Sequence, residues 1–211
     1  MRVTALLLCG GRATRMGGVD KPLQTFRGRP LVEHVLDRIA PQTGGRVLIS
    51  ANRHLDDYRR LGYPVLEDTL PDFPGPLAGI LAGLASMNAG PDTPSTTAET
   101  RAVQAADDRW LLVVSGDSPW LPADLLARLV DGLAPGQSAA MALGREAPGE
   151  PLRSQPLASL VHASHRASLA AALRGRAACR TLAGQPAAGA RRLRPTGRRT
   201  RLRQHQRQER A

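Results

Sequence analysis

The sequence predicts a three-layer α/β domain with a mostly parallel sheet, and three observations lead there. Short apolar runs recur along the chain, each followed by glycine or polar residues; stretches of helical period lie between them; and Gly10, Ser50, Asp68 and Asp117 fall at or just past the ends of four runs. Strands alternating with helices imply a sheet covered on both faces, with a ligand crevice beyond the carboxyl ends of the strands.

Residues 3–8 form the first expected strand, whose apolar core at 5–8 is far too short to span a membrane and stops before Gly10 and Gly11. Leu31, Val35, Leu36 and Ile39 then share one helical face. Residues 46–50 and 64–66 read as two further strands, and Leu77, Ile80, Leu81 and Leu84 as the apolar face of a second helix. Between 88 and 108 the composition turns to Gly, Pro, Ser, Thr, Ala and Asp without apolar period, the pattern of a flexible surface insertion. Residues 110–115 and 139–143 supply the next strands, separated by a helix with Leu125, Leu126, Leu129 and Val130 on one face. A loop at 144–156, carrying Arg145 and Arg153, precedes an expected helix over 157–173. On that helix His162 and His165 would share a face at i, i+3 spacing; with no third ligand evident, solvated histidines are favoured over a metal pair.

The most informative segment is Leu6 to Lys21, LLLCGGRATRMGGVDK, an apolar strand running into a turn with glycines and three cations, Arg12, Arg15 and Lys21. Glycines let backbone N–H groups approach a ligand, and a polyphosphate needs both bare backbone donors and several positive charges. A P-loop is excluded, because Val19 and Asp20 separate Gly18 from Lys21. A dinucleotide fingerprint is excluded too, because Gly10-Gly11-Arg12 breaks the GxGxxG spacing. An ordinary strand-to-helix turn with solvated arginines remains the plainer alternative.

The chain has 211 residues and 42% hydrophobic content, enough for one substantial core. No stretch approaches a membrane-spanning length and the N-terminus lacks a signal-peptide design, so a cytoplasmic protein is expected. Cys9 and Cys179 make neither a disulfide framework nor a zinc set. The net charge of +11 is concentrated in the last 36 residues: residues 176–211 hold 11 arginines and one acidic residue, whereas residues 1–175 hold 18 basic and 17 acidic residues. The body is therefore electrically ordinary, and no specific nucleic-acid binding is expected of it.

Several blocks together resemble one family. The opening LxGGxxxRMGGxDK, followed by FRGRPL at 26–31, is similar to the start of molybdenum cofactor guanylyltransferases. SANR at 50–53, LED at 66–68, FPGPLAGI at 73–80 and GDSPWLP at 116–122 follow in that family's order. The resemblance covers about residues 3–174; its glycine-rich opening is shared by many nucleotidyltransferases, while GVDK and PGPLAGI point to the guanylyl-transferring group.

That resemblance implies a Rossmann-like nucleotidyltransferase fold and Mg²⁺-dependent transfer of GMP from GTP to the molybdenum-molybdopterin cofactor, with release of pyrophosphate. It implies nucleotide contacts from Leu8, Cys9, Gly10, Gly11, Lys21, Ser50, Asp68 and Asp117, with Leu8-Cys9-Gly10 forming part of the guanine edge. Lys21, Arg15 and Asp117 are the implied catalytic set, in which Lys21 and Arg15 hold phosphates and Asp117 holds Mg²⁺ at a strand end. Turn or helix-cap aspartates are the plainer readings of Asp68 and Asp117. Ser50 stands where the family frequently has Asn, and Gln155 where it commonly has His; Arg153 and Pro156 resemble the segment that approaches the pterin. Expected partners are GTP, the molybdopterin cofactor, and molybdoenzymes or their chaperones.

The tail departs from the family, which ends with a Gly-x-Arg-Arg stretch, an aromatic-Leu pair and an Asn-x-Asn turn. Codons for Leu202 to Arg207, read one base later, can spell Phe-Ala-Asn-Ile-Asn, and the same offset permits Gly-Arg-Arg at 176–178 and Pro-Trp-Leu at 181–183. Residues from about 175 are thus expected to be a frame-shifted, disordered basic tail behind a nucleotidyltransferase domain at 1–175. Two other functions stay open: another small nucleotidyltransferase, cytidylyl- or sugar-phosphate-transferring, and a weakened nucleotide-binding protein whose tail binds nucleic acid nonspecifically.

Overall fold

Strand β1 (Arg2–Leu8) lies inside the sheet with apolar side chains on both faces, because Val3, Ala5 and Leu7 enter one hydrophobic cluster and Leu6 the other. The computed structural model describes residues 1–9, 19–67, 75–87, 108–145 and 149–174. Gly10, Gly11, Arg12, Arg15, Asp68, nearly all of the 88–108 insertion and the tail from residue 175 lie outside the described residues.

After β1, the short hairpin β2 (Thr25–Phe26) and β3 (Arg29–Pro30) turns at Arg27 and Gly28, whose φ angles of +49° and +81° suit a two-residue hairpin connection. Helix α1 (Leu31–Ile39) follows and buries Val32, Val35, Leu36 and Ile39. The chain continues through β4 (Val47–Ser50), α2 (Leu55–Arg59), β5 (Val65–Leu66) and α3 (Pro76–Ser86). It then forms β6 (Arg109–Ser115), α4 (Leu125–Asp131), β7 (Ala139–Gly144), β8 (Arg153–His162) and α5 (His165–Arg174).

The six-stranded sheet has the order β5-β4-β1-β6-β8-β7. β5, β4, β1 and β6 are mutually parallel, whereas β8 runs antiparallel to both of its neighbours. One face packs Ala5, Leu7, Leu112 and Val114 against Val35 and Ile39 of α1, Tyr58 of α2 and Leu125 and Leu129 of α4. The opposite face packs Leu6, Leu111 and Val113 against Ile80 and Leu84 of α3 and Leu169 and Leu173 of α5. The expected three-layer α/β architecture is therefore present. Among the described residues no helix is long and apolar enough to cross a membrane.

One expectation is corrected. The helix read over 157–173 is instead strand β8 followed by α5, which begins only at His165. A strand covered on both faces shows a continuous apolar run, here Leu157-Ala158 and Leu160-Val161, and such a run does not distinguish strand from helix. Pro156 lies where the β7–β8 register shifts from Ser159 opposite Met141 to Gln155 opposite Ala142, an irregularity that accommodates a residue without an N–H. His162 and His165 consequently do not share a helix face. His162 ends β8 with its ring edge-on to Trp110, while His165 bonds Ser138 Oγ at 2.8 Å.

Helix α3 sits very close to the sheet. A Cβ built on Gly79 would stand 2.5 Å from Ser50 Oγ and 2.8 Å from Leu8 Cδ2, and one on Gly83 3.0 Å from Leu6 Cδ2. Glycine is thus required at 79 for lack of space. Gly79→Val should lower stability in urea unfolding by about 1–3 kcal/mol, the usual penalty for overpacking; an unchanged unfolding midpoint would show that α3 can lift away without cost.

Candidate active site

The carboxyl ends of β1 and β6 meet at a topological switch point. The chain passes from β1 through α1 to β4 on one side and, after α3, enters β6 on the other, so the crevice opens where connections depart in opposite directions. Leu8 lies between Ser50 and Ser115 in register, and the Gly116 N–H donates to the Leu8 carbonyl at 3.0 Å. Beyond it, a Cβ on Gly116 would lie 2.4 Å from Cys9 Sγ. The two strand ends therefore abut only because residue 116 has no side chain.

Asp117 follows immediately. Its Oδ1 accepts a hydrogen bond from Ser115 Oγ at 2.5 Å, and Oδ2 has no partner among the described residues. Magnesium is commonly held by one or two carboxylates together with phosphate oxygens and waters, so a single oriented carboxylate at a strand end fits that ion. Among the described residues no group of three or more His, Cys, Asp and Glu side chains could hold a metal ion.

Lys21 opens a 3-10 turn, Lys21–Leu23, with Pro22 next to it and Asp20 at the cap position. The turn is closed by the Leu23 N–H on the Asp20 carbonyl at 3.2 Å and the Gln24 N–H on the Lys21 carbonyl at 2.9 Å. Pro22 is buried, and its Cβ approaches the position a Gly116 Cβ would take, so the turn is seated directly over the β1–β6 junction. Lys21 makes no ion pair with the described residues, leaving its ammonium available to an anion.

Residues 5–195 match the model of the MobA-like NTP transferase domain. The chain belongs to that family. It is 44% identical over 165 residues to the molybdenum cofactor guanylyltransferase of Ralstonia pickettii, covering 76% of this chain and 71% of the relative. It is 41% identical over 174 residues to that of Cupriavidus necator, covering 82% of this chain and 77% of the relative. Among solved structures, the molybdopterin-guanine dinucleotide biosynthesis protein A of Archaeoglobus fulgidus shares the fold with a TM-score of 0.55 and 21% identity, over 82% of this chain and 74% of that one. The family is one of nucleotidyltransferases, and the crevice is where such a domain would carry its chemistry.

In this MobA-like domain the remaining implied contacts are placed unevenly. Leu8 ends β1 and Cys9 follows it beside the crevice; Cys9 donates its N–H to the Ser50 carbonyl at 2.9 Å, and its carbonyl accepts from Tyr58 Oη at 3.2 Å. Ser50 is only 5% exposed, its hydroxyl packed toward Gly79 beneath α3. Gly10, Gly11, Arg15 and Asp68 lie outside the described residues. Arg153 starts β8, opposite Gly144 in register.

Two groups escaped the reading of the sequence. Tyr58, fully buried in α2, donates to Asp20 Oδ1 at 2.8 Å and links the turn carrying Lys21 to the end of β1. A tyrosine within the charged stretch Asp56 to Arg60 was the available signal, since the chain has only two. The second group is aromatic: Phe26 and Trp120 meet edge-to-face at 5.6 Å, with the Arg27 guanidinium 5.2 Å from the Trp120 ring centre. This contact ties the β2–β3 hairpin to the segment after Asp117. Gln42 holds the same segment from the other side, donating to the Pro122 carbonyl at 3.0 Å and accepting the Leu126 N–H at 2.8 Å.

Burial pushes the Cys9 thiol up, and the charges of Asp20 and Asp117 add to it, so the thiol is neutral and unsuited to nucleophilic work. Burial likewise raises the Tyr58 phenol, which keeps its proton and remains a donor. The Asp20 carboxyl is raised by burial, against the opposing bond from Tyr58 and the charges of His54 and Arg53.

Gly116→Ala should lower both stability and activity, the former by about 1–3 kcal/mol, and Cys9→Ala in the same chain should recover much of the loss by removing the sulfur; thermal melts of the two variants check this. Because the folded state binds a proton at Asp20 more tightly than the unfolded chain does, stability is lost as pH rises through the folded-state value. Asp20→Asn lacks that loss, so its melting temperature should gain on the unsubstituted chain between about pH 4 and pH 7; a constant difference across that range would remove Asp20 from the pH dependence.

Proposed function

We propose that this chain transfers GMP from GTP to the molybdenum-molybdopterin cofactor, with Mg²⁺, forming the guanine dinucleotide cofactor and releasing pyrophosphate. The observation that carries the reading is the packing of Pro22, next to Lys21, at Gly116, next to Asp117, on the junction of β1 and β6, in a chain 44% identical to a molybdenum cofactor guanylyltransferase.

In this reaction a terminal phosphate oxygen of the acceptor bonds to the α-phosphorus of GTP while the bond from that phosphorus to the β-phosphate bridge breaks. The protein's task is to align the groups and to neutralise charge. Lys21, held on a short turn, offsets charge on the departing pyrophosphate, and Arg15, Gly10 and Gly11 hold phosphates beside it. Asp117, its Oδ1 held by the Ser115 hydroxyl, would hold Mg²⁺. The chemistry such an ion would supply is neutralisation of charge on the triphosphate.

For guanine, the carbonyls of Leu8 and Cys9 each accept one bond from the protein and retain a second lone pair for the base N1–H or N2–H₂. Asp68 would add a nucleotide contact. Ser50 would act there through its place at the end of β4, with α3 closing over its side chain. Residues 1–175 would form the transferase domain, in the cytoplasm, handing product to molybdoenzymes or their chaperones, and the basic residues 176–211 would take no part.

Pyrophosphate release from GTP and molybdopterin cofactor tests the assignment. Lys21→Ala and Asp117→Ala should each reduce kcat by about 10²-fold or more, as loss of a transition-state charge contact does, and undiminished turnover in either would remove that residue from the mechanism. Equal thermal stabilisation by GTP and CTP with Mg²⁺ would count against guanine selectivity.

A further inference from the structure

The Tyr58 hydroxyl makes two hydrogen bonds among the described residues, and both lie at the crevice. The ring fills the core among α1, β1 and β4, a space that phenylalanine would fill as well. Only the hydroxyl distinguishes it, and that atom reaches Asp20 Oδ1 at 2.8 Å and the Cys9 carbonyl at 3.2 Å. A phenol has one proton to donate, and the shorter bond to a charged carboxylate is the stronger of the two. The hydroxyl thus holds Asp20, the residue before Lys21, at a point beside the Cys9 carbonyl at the end of β1.

Asp20 is built into the turn that carries Lys21. Its carbonyl accepts the Leu23 N–H, and its own backbone is extended, with φ −83° and ψ 102°, at the point where the 3-10 turn begins. Fixing the Asp20 side chain therefore fixes the start of the turn and the direction in which Lys21 leaves it. Lys21 itself has no ion-pair partner among the described residues. Its placement depends on its backbone, and the backbone depends on what holds Asp20.

We infer that Tyr58 is a positioning residue: acting through Asp20, its hydroxyl sets where Lys21 stands relative to the end of β1 and so tunes the grip on the triphosphate. This rests on the role proposed above for Lys21. It predicts that the hydroxyl matters to phosphate binding only while Lys21 is present.

A double-mutant cycle of Tyr58→Phe and Lys21→Ala, with binding of inorganic triphosphate and Mg²⁺ followed by calorimetry, tests this without needing either substrate. Tyr58→Phe should weaken triphosphate binding by about tenfold when Lys21 is present, the scale of one hydrogen bond to a charged group, and by less than about twofold in the Lys21→Ala background. In turnover, KM for GTP should rise by a similar factor while KM for the molybdopterin cofactor stays constant, a split that general loosening would not produce. Equal losses in both backgrounds, or equal rises in both KM values, would overturn the inference. If Tyr58→Phe does not fold, Asp20→Ala removes the same bond from the other side and should give the same pattern with Lys21→Ala. Coupled triphosphate binding without pyrophosphate release from GTP would refute guanylyl transfer and leave Tyr58 standing; absence of triphosphate binding by the unsubstituted chain would refute both.

Discussion

The packing of the Cys9 sulfur against Gly116, which leaves no room for a Cβ there, is the constraint on which the site depends. Two parallel strands deliver their last residues side by side, and the space between them admits the cysteine sulfur on one side and only hydrogen on the other. Because the Gly116 N–H is bonded to the Leu8 carbonyl, the β1–β6 pairing continues to the rim of the crevice without fraying. Asp117 is covalently next to that bond, and Pro22 rests above it. Asp117 is thus placed from the end of a sheet strand, the stiffest part of the fold, and the turn that carries Lys21 is seated on the same junction through Pro22.

The local charges follow from the same compression. Asp20 and Asp117 both act on Cys9, so a neutral thiol sits between two acids. A side chain that ionised there would add a third negative charge to the region proposed to receive a polyphosphate. Cysteine serves as a small apolar spacer whose proton is kept by burial. Each acid has a hydroxyl donor, Tyr58 for Asp20 and Ser115 for Asp117, and the charges of His54 and Arg53 oppose the effect of burial on Asp20.

Most of the scaffold was legible because burial on two faces leaves a strong trace in sequence. β1, β4, β5, β6 and β7 appear as short apolar runs ending in Gly, Ser or Asp, and α1 shows its buried face as a helical period. β8 was missed for the same physical reason that makes it important: it is enclosed on both faces and flanked on both edges, so its apolar run carries no period to read. In the candidate site, Lys21 and Asp117 are singled out in the sequence by a charge beside glycines, one after a glycine-rich turn and one just past a strand end. Tyr58 is not, since its significance lies in one hydroxyl meeting two groups distant in sequence, a relation that exists only after folding. Ser50 shows the converse, a residue legible at a strand end whose hydroxyl folding has turned toward a helix.

The antiparallel β8 also dictates an order of assembly. β7 is made before β8, yet β7 reaches the sheet only through β8, which is inserted between it and β6. During synthesis the β6 edge therefore waits with Leu112, Val113 and Val114 unpaired on that side until residues 153–162 have left the ribosome. That open edge is the point at which a nascent or destabilised chain would pair with another copy, so conditions that slow synthesis beyond β7 should send this protein into aggregates sooner than damage at the crevice would.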